Sequence, residues 1–249
     1  MYRRTLYGKK SYWETAYYPQ PTETQLKHNA AQTVRKASAK GKQFCPVVLT
    51  GRTIAKSWWG KAWCENLERY ADFETRLQRG QRYVRSGAVI DLQMQKGRVS
   101  ARVQGSRKTP YKVEIRISPL SEERCEQIMD RCSDRVDTLE NLLSGSFPEA
   151  MKDVFLGEGG LFPTPKEISF SCSCPDWAVM CKHVAAALYG VGARLDEDPM
   201  LFFSLRGIDT GRFVDVVIAN RIERMLSNAD RPSSRIIPAT ELTDLFGVL

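Results

Sequence analysis

Three of the seven cysteines fall close together beside one of the two histidines, in FSCSCPDWAVMCKHVAAALYG. They are Cys172, Cys174, Cys181 and His183, with the spacing C-x-C-x6-C-x-H. Thiolates with one imidazole at tetrahedral reach are the donor set of a structural zinc site, so the spacing predicts one structural Zn2+. Four protein ligands leave no coordination position for an activated water, which argues against zinc-dependent hydrolysis. A deaminase would need H-x-E followed by P-C-x-x-C, whereas His183 is followed by Val184 and Ala185 and no P-C-x-x-C occurs. No Walker loop, recognisable pair of metal-binding carboxylates or nucleophile with its base is present, and the expectation is a non-enzymatic protein.

The other potential ligands lack partners. Cys45, Cys64, Cys125 and Cys132 have no ligand spacing and read as small hydrophobes; an odd cysteine count also fits a disulfide framework badly. His28 stands alone. Asp196, Glu197 and Asp198 are adjacent, so they point in different directions and read as a solvated cap before Pro199.

Positioning the four ligands requires a strand and a helix. An apolar-alternating strand over Glu167–Cys172 delivers the first cysteine, Pro175 turns the chain, and a helix near His183–Ala193 opens at the second pair. There the amides of the first turn and the helix dipole favour a thiolate. Upstream, Ser57 is a plausible N-cap for a helix whose apolar face is Trp59, Trp63, Leu67 and Tyr70, with Trp58 off that face as the exposed ring. Three period-2 segments, 88–95, 98–104 and 111–117, read as an antiparallel meander turning at Lys96-Gly97. Alternation places Ile90, Leu92, Met94, Val99, Ala101, Val103, Tyr111, Val113, Ile115 and Ile117 on a core face. It places Gln93, Arg98, Arg102, Gln104, Lys112, Glu114 and Arg116 on an opposite, mainly basic face. A long helix follows Pro119 until Gly145, then a short one near Glu149–Leu156. Further helices are expected near Met200–Leu205, Phe213–Leu226 and Glu241–Phe246.

The fold class is therefore α+β: an N-terminal helix plus antiparallel β-meander, and a C-terminal helical module around a β-β-α zinc finger. The divisions are a polar, basic arm without firm caps, mobile or loosely docked, at 1–45, helix plus sheet at 46–118, a helical connector at 119–160, the finger at 161–195 and C-terminal helices at 196–249.

Charge is divided unequally along the 249 residues. Positions 1–120 hold 24 Lys and Arg against 8 Asp and Glu, net +16; positions 121–249 hold 13 against 21, net −8. A polyanion would meet the N-terminal half. Arg98, Arg102, Lys112 and Arg116 on the sheet, with Arg107 and Lys108 on its loop, are candidate phosphate contacts. Arg76, Arg79, Arg82 and Arg85 extend the patch, with Tyr83 available to stack on a base. No apolar run is long enough to span a bilayer and the start lacks a secretory h-region, so the expected location is the cytoplasm.

The segment CSCPDWAVMCKHVAAALY resembles the SWIM zinc finger, a β-β-α unit with the pattern C-x-C-x(n)-C-x-H. SWWGKAWCENLE, QRYVRSGAVIDL, RVSARVQGSRKTPYKV and GARLDEDPMLFFSLRG resemble the stand-alone bacterial proteins of that family, extending the similarity over about residues 50 to 210. The resemblance implies zinc binding, a role in DNA or protein interaction, and action with a SWI/SNF-type helicase-like ATPase. An alternative expectation is a protein-interaction adaptor in which zinc only holds the fold.

Overall fold

A computed structural model of the chain describes residues 21–133 and 147–229. The readings for the start of the arm, the end of the long helix and the piece at Glu241–Phe246 lie outside the described residues. Within them, the first element corrects an expectation. Residues Glu23–Ser38 form a helix, α1, rather than a loose arm. Thr22 caps it by accepting the Gln25 N–H, while the Gln25 side chain accepts the Thr22 N–H, a reciprocal box that satisfies two otherwise orphaned amides. Leu26 and Ala30 are buried, and Thr33 Oγ1 donates to Gln104 Oε1 at 2.8 Å, so the helix is docked.

Helix α2 (Trp58–Asn66) continues into a 3-10 turn at Leu67–Tyr70 and starts at Ser57, whose hydroxyl accepts the Gly60 N–H. Trp63, Leu67 and Tyr70 are buried as the periodicity predicts. Trp58 is not the exposed ring expected: it is half-buried, edge-on to Phe155, and its indole N–H donates to the Phe147 carbonyl. Helix α3 (Glu74–Arg85) is missed by the sequence pattern. Its buried side includes Gly80, which hydropathy does not register and which lets the helix come close to its neighbour. A Cβ there would lie 2.5 Å from that of Ala185.

The meander follows as β1 (Val89–Gln95), β2 (Arg98–Val103) and β3 (Tyr111–Ile117), turning at Gly97 with φ +67°. After α4 (Glu122–Ser133), and after a 3-10 turn leading into α5 (Lys152–Leu156), strand β4 (Ile168–Cys172) returns to pair antiparallel with β3. The sheet thus has four strands in the order β1-β2-β3-β4, one more than the three-stranded meander expected. The finger's second strand belongs to the N-terminal meander. Alternation holds on β2 and β3, where Val99, Ala101, Val103, Val113, Ile115 and Ile117 are buried. Gln104, expected on the open face, is instead buried, donating to the Gly105 and Arg107 carbonyls.

Helix α6 (Lys182–Glu197) lies across the apolar face of all four strands, with α2 and α3 against its other side. A helix enclosed on both sides must be apolar nearly all round, and here twelve of its residues are buried. Many of them are Ala or Gly, which permits the close approach. Helices α7 (Leu201–Arg206) and α8 (Thr210–Ala229) are the last of the described elements, α8 packing on α4. One continuous core unites these layers. Each buried Leu, Val or Phe in it contributes about 1.5–3 kcal/mol by leaving water.

Candidate zinc centre and its surroundings

The end of β4 and the start of α6 meet at one end of the sheet. Cys172 closes β4 opposite Val113 of β3, and Cys181 is the residue before the first turn of α6, in extended conformation. His183 follows within that turn. The four ligand atoms lie within 4.8 Å of one another, and His183 Nδ1 is 3.9 Å from both Cys172 Sγ and Cys181 Sγ. Tetrahedral Zn–S and Zn–N bonds demand ligand separations of about 3.6–3.8 Å, so contraction by at most about an ångström brings these donors onto an ion. The residues fit the group: Cys172, Cys174, Cys181 and His183 hold one structural zinc ion.

Electrostatics agree with a metal site. Three thiols in one small space oppose each other's ionisation. Cys181 is held down to about 3, first by a hydrogen bond from Cys172, then by His183 and the Val184 N–H. Cys172 is pushed up, chiefly by its hydrogen bond with Cys181 and by burial, and Cys174 is pushed up by burial. A divalent cation removes this opposition by taking all three as thiolates. Burial holds His183 below its ordinary pKa, keeping the imidazole neutral as a ligand must be. The ring is fixed by Tyr111, stacked at 4.1 Å, and by Tyr83, edge-on at 5.5 Å. Its Nε2 is buried without a hydrogen-bond partner among the described residues, beside Gly105, where a Cβ would come within 3.4 Å of it.

The loop between the ligand pairs is tied to the N-terminal half. The Asp72 carboxylate accepts the Val179 N–H at 2.9 Å and the Met180 N–H at 3.4 Å. Arg76 pairs with Asp176 at 3.1 Å. These anchors from the α2–α3 connection and from α3 have no sequence signal, because they depend on which elements become neighbours.

The other cysteines stay outside the site. Cys132 is buried and Cys64 and Cys125 are half-buried, while Cys45 is exposed rather than packed. Cys64 is pushed up to about 12, first by burial and then by Asp196 and Glu65, and is an inert thiol. Asp196 is not simply solvated: it accepts from the Lys56 N–H, the Ser57 N–H and the Ser57 hydroxyl, closing the start of α2.

Nine of the eleven predicted polyanion contacts divide into three groups, with Arg79 and Arg85 apart from them. Tyr83 is 1 % exposed against His183 and presents no ring to a base; Arg76 is spent on Asp176; and two of the three guanidinium nitrogens of Arg82 are buried. On the open face of the sheet, Arg98 and Arg116 both pair with Glu114 at 2.7 Å, and Arg102 lies 3.5 Å from Asp91 and over the Phe44 ring. Glu114 is correspondingly held below the ordinary carboxylate range, first by its hydrogen bond from Arg116. The third group is Lys112, Arg107 and Lys108, all exposed and without an ion-pair partner among the described residues. They gather at the zinc end: Lys112 opposite Ser173, Arg107 over the Tyr111 ring that stacks on His183. Arg79 is half-buried and Arg85 exposed, its Nε donating to the Arg52 carbonyl. A shallow depression of about 440 Å³ runs over this open face, from Asp91 and Arg102 to Lys112, Ser171, Cys172 and Ser173. No described helix is long and apolar enough to cross a membrane.

Comparison with known proteins agrees with the centre. The SWIM zinc finger family model matches residues 154–191, which include all four ligands. Uncharacterized protein Rv2102 of Mycobacterium tuberculosis is 37 % identical over 199 residues, covering 79 % of this chain and 72 % of that one. No solved structure matches the chain.

Proposed function

The chain belongs to the SWIM zinc-finger family, and from that premise we propose that it is a non-enzymatic accessory protein binding nucleic acid, DNA in the first place, through the surface around its zinc centre. The observation that carries this reading is the gathering of Lys112, Arg107 and Lys108 at the zinc end, while the arginines of the open face are matched by Glu114 and Asp91. Unmatched cations release counterions when they meet phosphates; cations already paired must first exchange a partner. Zinc serves by structure: it holds the end of β4 to the start of α6 and so sets the surface on which these cations stand.

The test is binding of single- and double-stranded DNA and of RNA across a salt series, with zinc content verified. Arg107→Glu/Lys112→Glu is expected to weaken binding and to make the salt slope shallower by about 2, roughly one for each phosphate that the variant no longer neutralises. Arg98→Glu/Arg116→Glu should do less. Absence of wild-type binding at moderate salt would sink the reading.

A second reading is supported by a different feature. Ile222, Met225 and Leu226 stand exposed on α8 at spacings of three and four, as one face of a helix that could dock on a larger protein. In the family context that partner is a helicase-like ATPase of SWI/SNF type. The two roles are compatible in one molecule. Action in the cytoplasm goes with both.

A further inference from the structure

The loop between the two ligand pairs holds an aromatic side chain in water for no structural reason. Trp177 is 81 % exposed, beside Phe73 at 43 % and Val179 at 68 %. The three other tryptophans among the described residues, Trp58, Trp59 and Trp63, each donate the indole N–H to a backbone carbonyl and pack on the core. Trp177 makes no such bond among the described residues. Its ring meets Phe73 at 5.8 Å and an interplanar angle of 89°, a perpendicular contact that covers at most one indole face.

The loop under that ring is tied at several points. Zinc ligands hold it at both ends, Asp72 holds the Val179 and Met180 amides, and Arg76 holds Asp176 immediately before Trp177. An exposed side chain that only filled space would not need such fixing; a recognition surface does, because the ordering cost is then met before binding. The surroundings indicate the ligand. Ser173, a few residues before Trp177, exchanges hydrogen bonds with Lys112, whose side chain is exposed and lacks an acidic partner among the described residues. A free aromatic face on the loop that leaves Ser173, which is itself bonded to the unmatched Lys112, suits a base with its phosphodiester. An apolar peptide would leave those cations without a role.

We propose that Trp177 is a stacking platform for an unpaired base of single-stranded nucleic acid whose phosphates pass onto Lys112 and Arg107. The inference rests on the nucleic-acid reading and takes it further: it names the single strand, and it gives Trp177 the role that the sequence suggested for Tyr83. In a duplex the base faces are covered by their neighbours, so Trp177 discriminates between the two forms.

The experiment measures anisotropy of labelled oligo(dT), oligo(U) and a DNA duplex of equal length with wild type, Trp177→Ala, Trp177→Phe and Lys112→Glu, zinc content and melting being checked for each. Trp177→Ala is expected to weaken both single-stranded ligands roughly tenfold and leave the duplex unchanged, with Trp177→Phe close to wild type. Oligo(dT) should also quench part of the tryptophan emission of wild type, and that part should be absent in Trp177→Phe. The oligo(dT) and oligo(U) arms separate DNA from RNA as the source of the base. Equal loss on duplex and single strand, or no loss, overturns stacking while the reading it rests on survives through Lys112→Glu. Failure of wild type to bind any of the three overturns both and leaves the exposed ring to a protein partner.

Discussion

The two ends of the sheet are held by different physics. At the zinc end, β4 and α6 converge on four ligands, with Tyr111 and Tyr83 packed on the imidazole and cations on the surface outside them. At the opposite end, Ile117 and Ile168 are paired and buried, and Phe155, Phe162, Phe202 and Phe203 pack edge-on and stacked around Trp63. Arg206, 1 % exposed, closes that end by donating to the Ser118 carbonyl and to Glu167, both at 2.7 Å. A metal lets one end rely less on clustered apolar packing, leaving its surface available for cations and an exposed indole. The other end has no such freedom, because packing is what stabilises it.

Removing a ligand tests the first half of the contrast and should have the largest effect. Cys174→Ser is expected to lose the ion and destabilise the fold by several kcal/mol, since in such sites metal binding and folding are one equilibrium. Metal content by native mass spectrometry and denaturant unfolding would show it. Hydrogen-exchange protection should collapse at 173–183 and persist at Ile115 and Ile117. A variant that retains full zinc would break the ligand assignment.

Arg206→Ala tests the other end. It removes the nearer cation from the Glu167 carboxylate, leaving Arg124 at 3.8 Å and the Thr164 donors, and it empties a buried site; the expected loss is about 3 kcal/mol, read as a lower denaturant midpoint with zinc retained. Arg206→Met with Glu167→Leu should recover much of it. The pair also carries a pH signature. Burial alone would raise the Glu167 pKa, but the Thr164 N–H and Arg206 outweigh it and hold the carboxyl below its ordinary value. A carboxyl depressed by folding contributes stability above its unfolded pKa and loses it as pH falls through the folded one. Stability should therefore fall on acidification below the ordinary Glu range of about 4.3, and less steeply in the double variant. The same acid slope in wild type and double variant would remove Glu167 from the account.

The same contrast explains what could be read from the chain. Ligand spacing is local, so the zinc set was legible; so were β1 to β3 and α6, where period-2 or helical patterns carry burial directly. Helix α3 was not, because its buried side is only Leu77, Gly80, Tyr83 and Val84, too sparse among arginines and glutamines to show as an apolar stripe. The fourth strand's place in the sheet was hidden because β3 and β4 are far apart in sequence, and nothing in either names the other. The misassignment of Tyr83 has the same origin: its burial depends on α3 lying over His183. Likewise, whether an arginine is free or paired on an open face depends on register, as Arg98↔Arg116 across β2 and β3 with Glu114 between them shows.

The smallest effect concerns α1, which belongs to neither end. Its start depends on the Thr22 hydroxyl at the Gln25 amide and the Gln25 side chain at the Thr22 amide. Thr22→Ala removes one of these bonds and frees the other, a loss of about 1 kcal/mol for a capping residue. Leu26 and Ala30 keep the helix docked, so the loss should be local. Amide exchange in the first turn of α1 should rise about fivefold, the rate expected from that energy if the turn opens by fraying, while zinc content and exchange at Tyr111 and His183 stay as in wild type. Accelerated exchange reaching those two residues would mean that α1 is part of the zinc end after all, through the Thr33 bond to Gln104 and the loop that Gln104 holds beside His183.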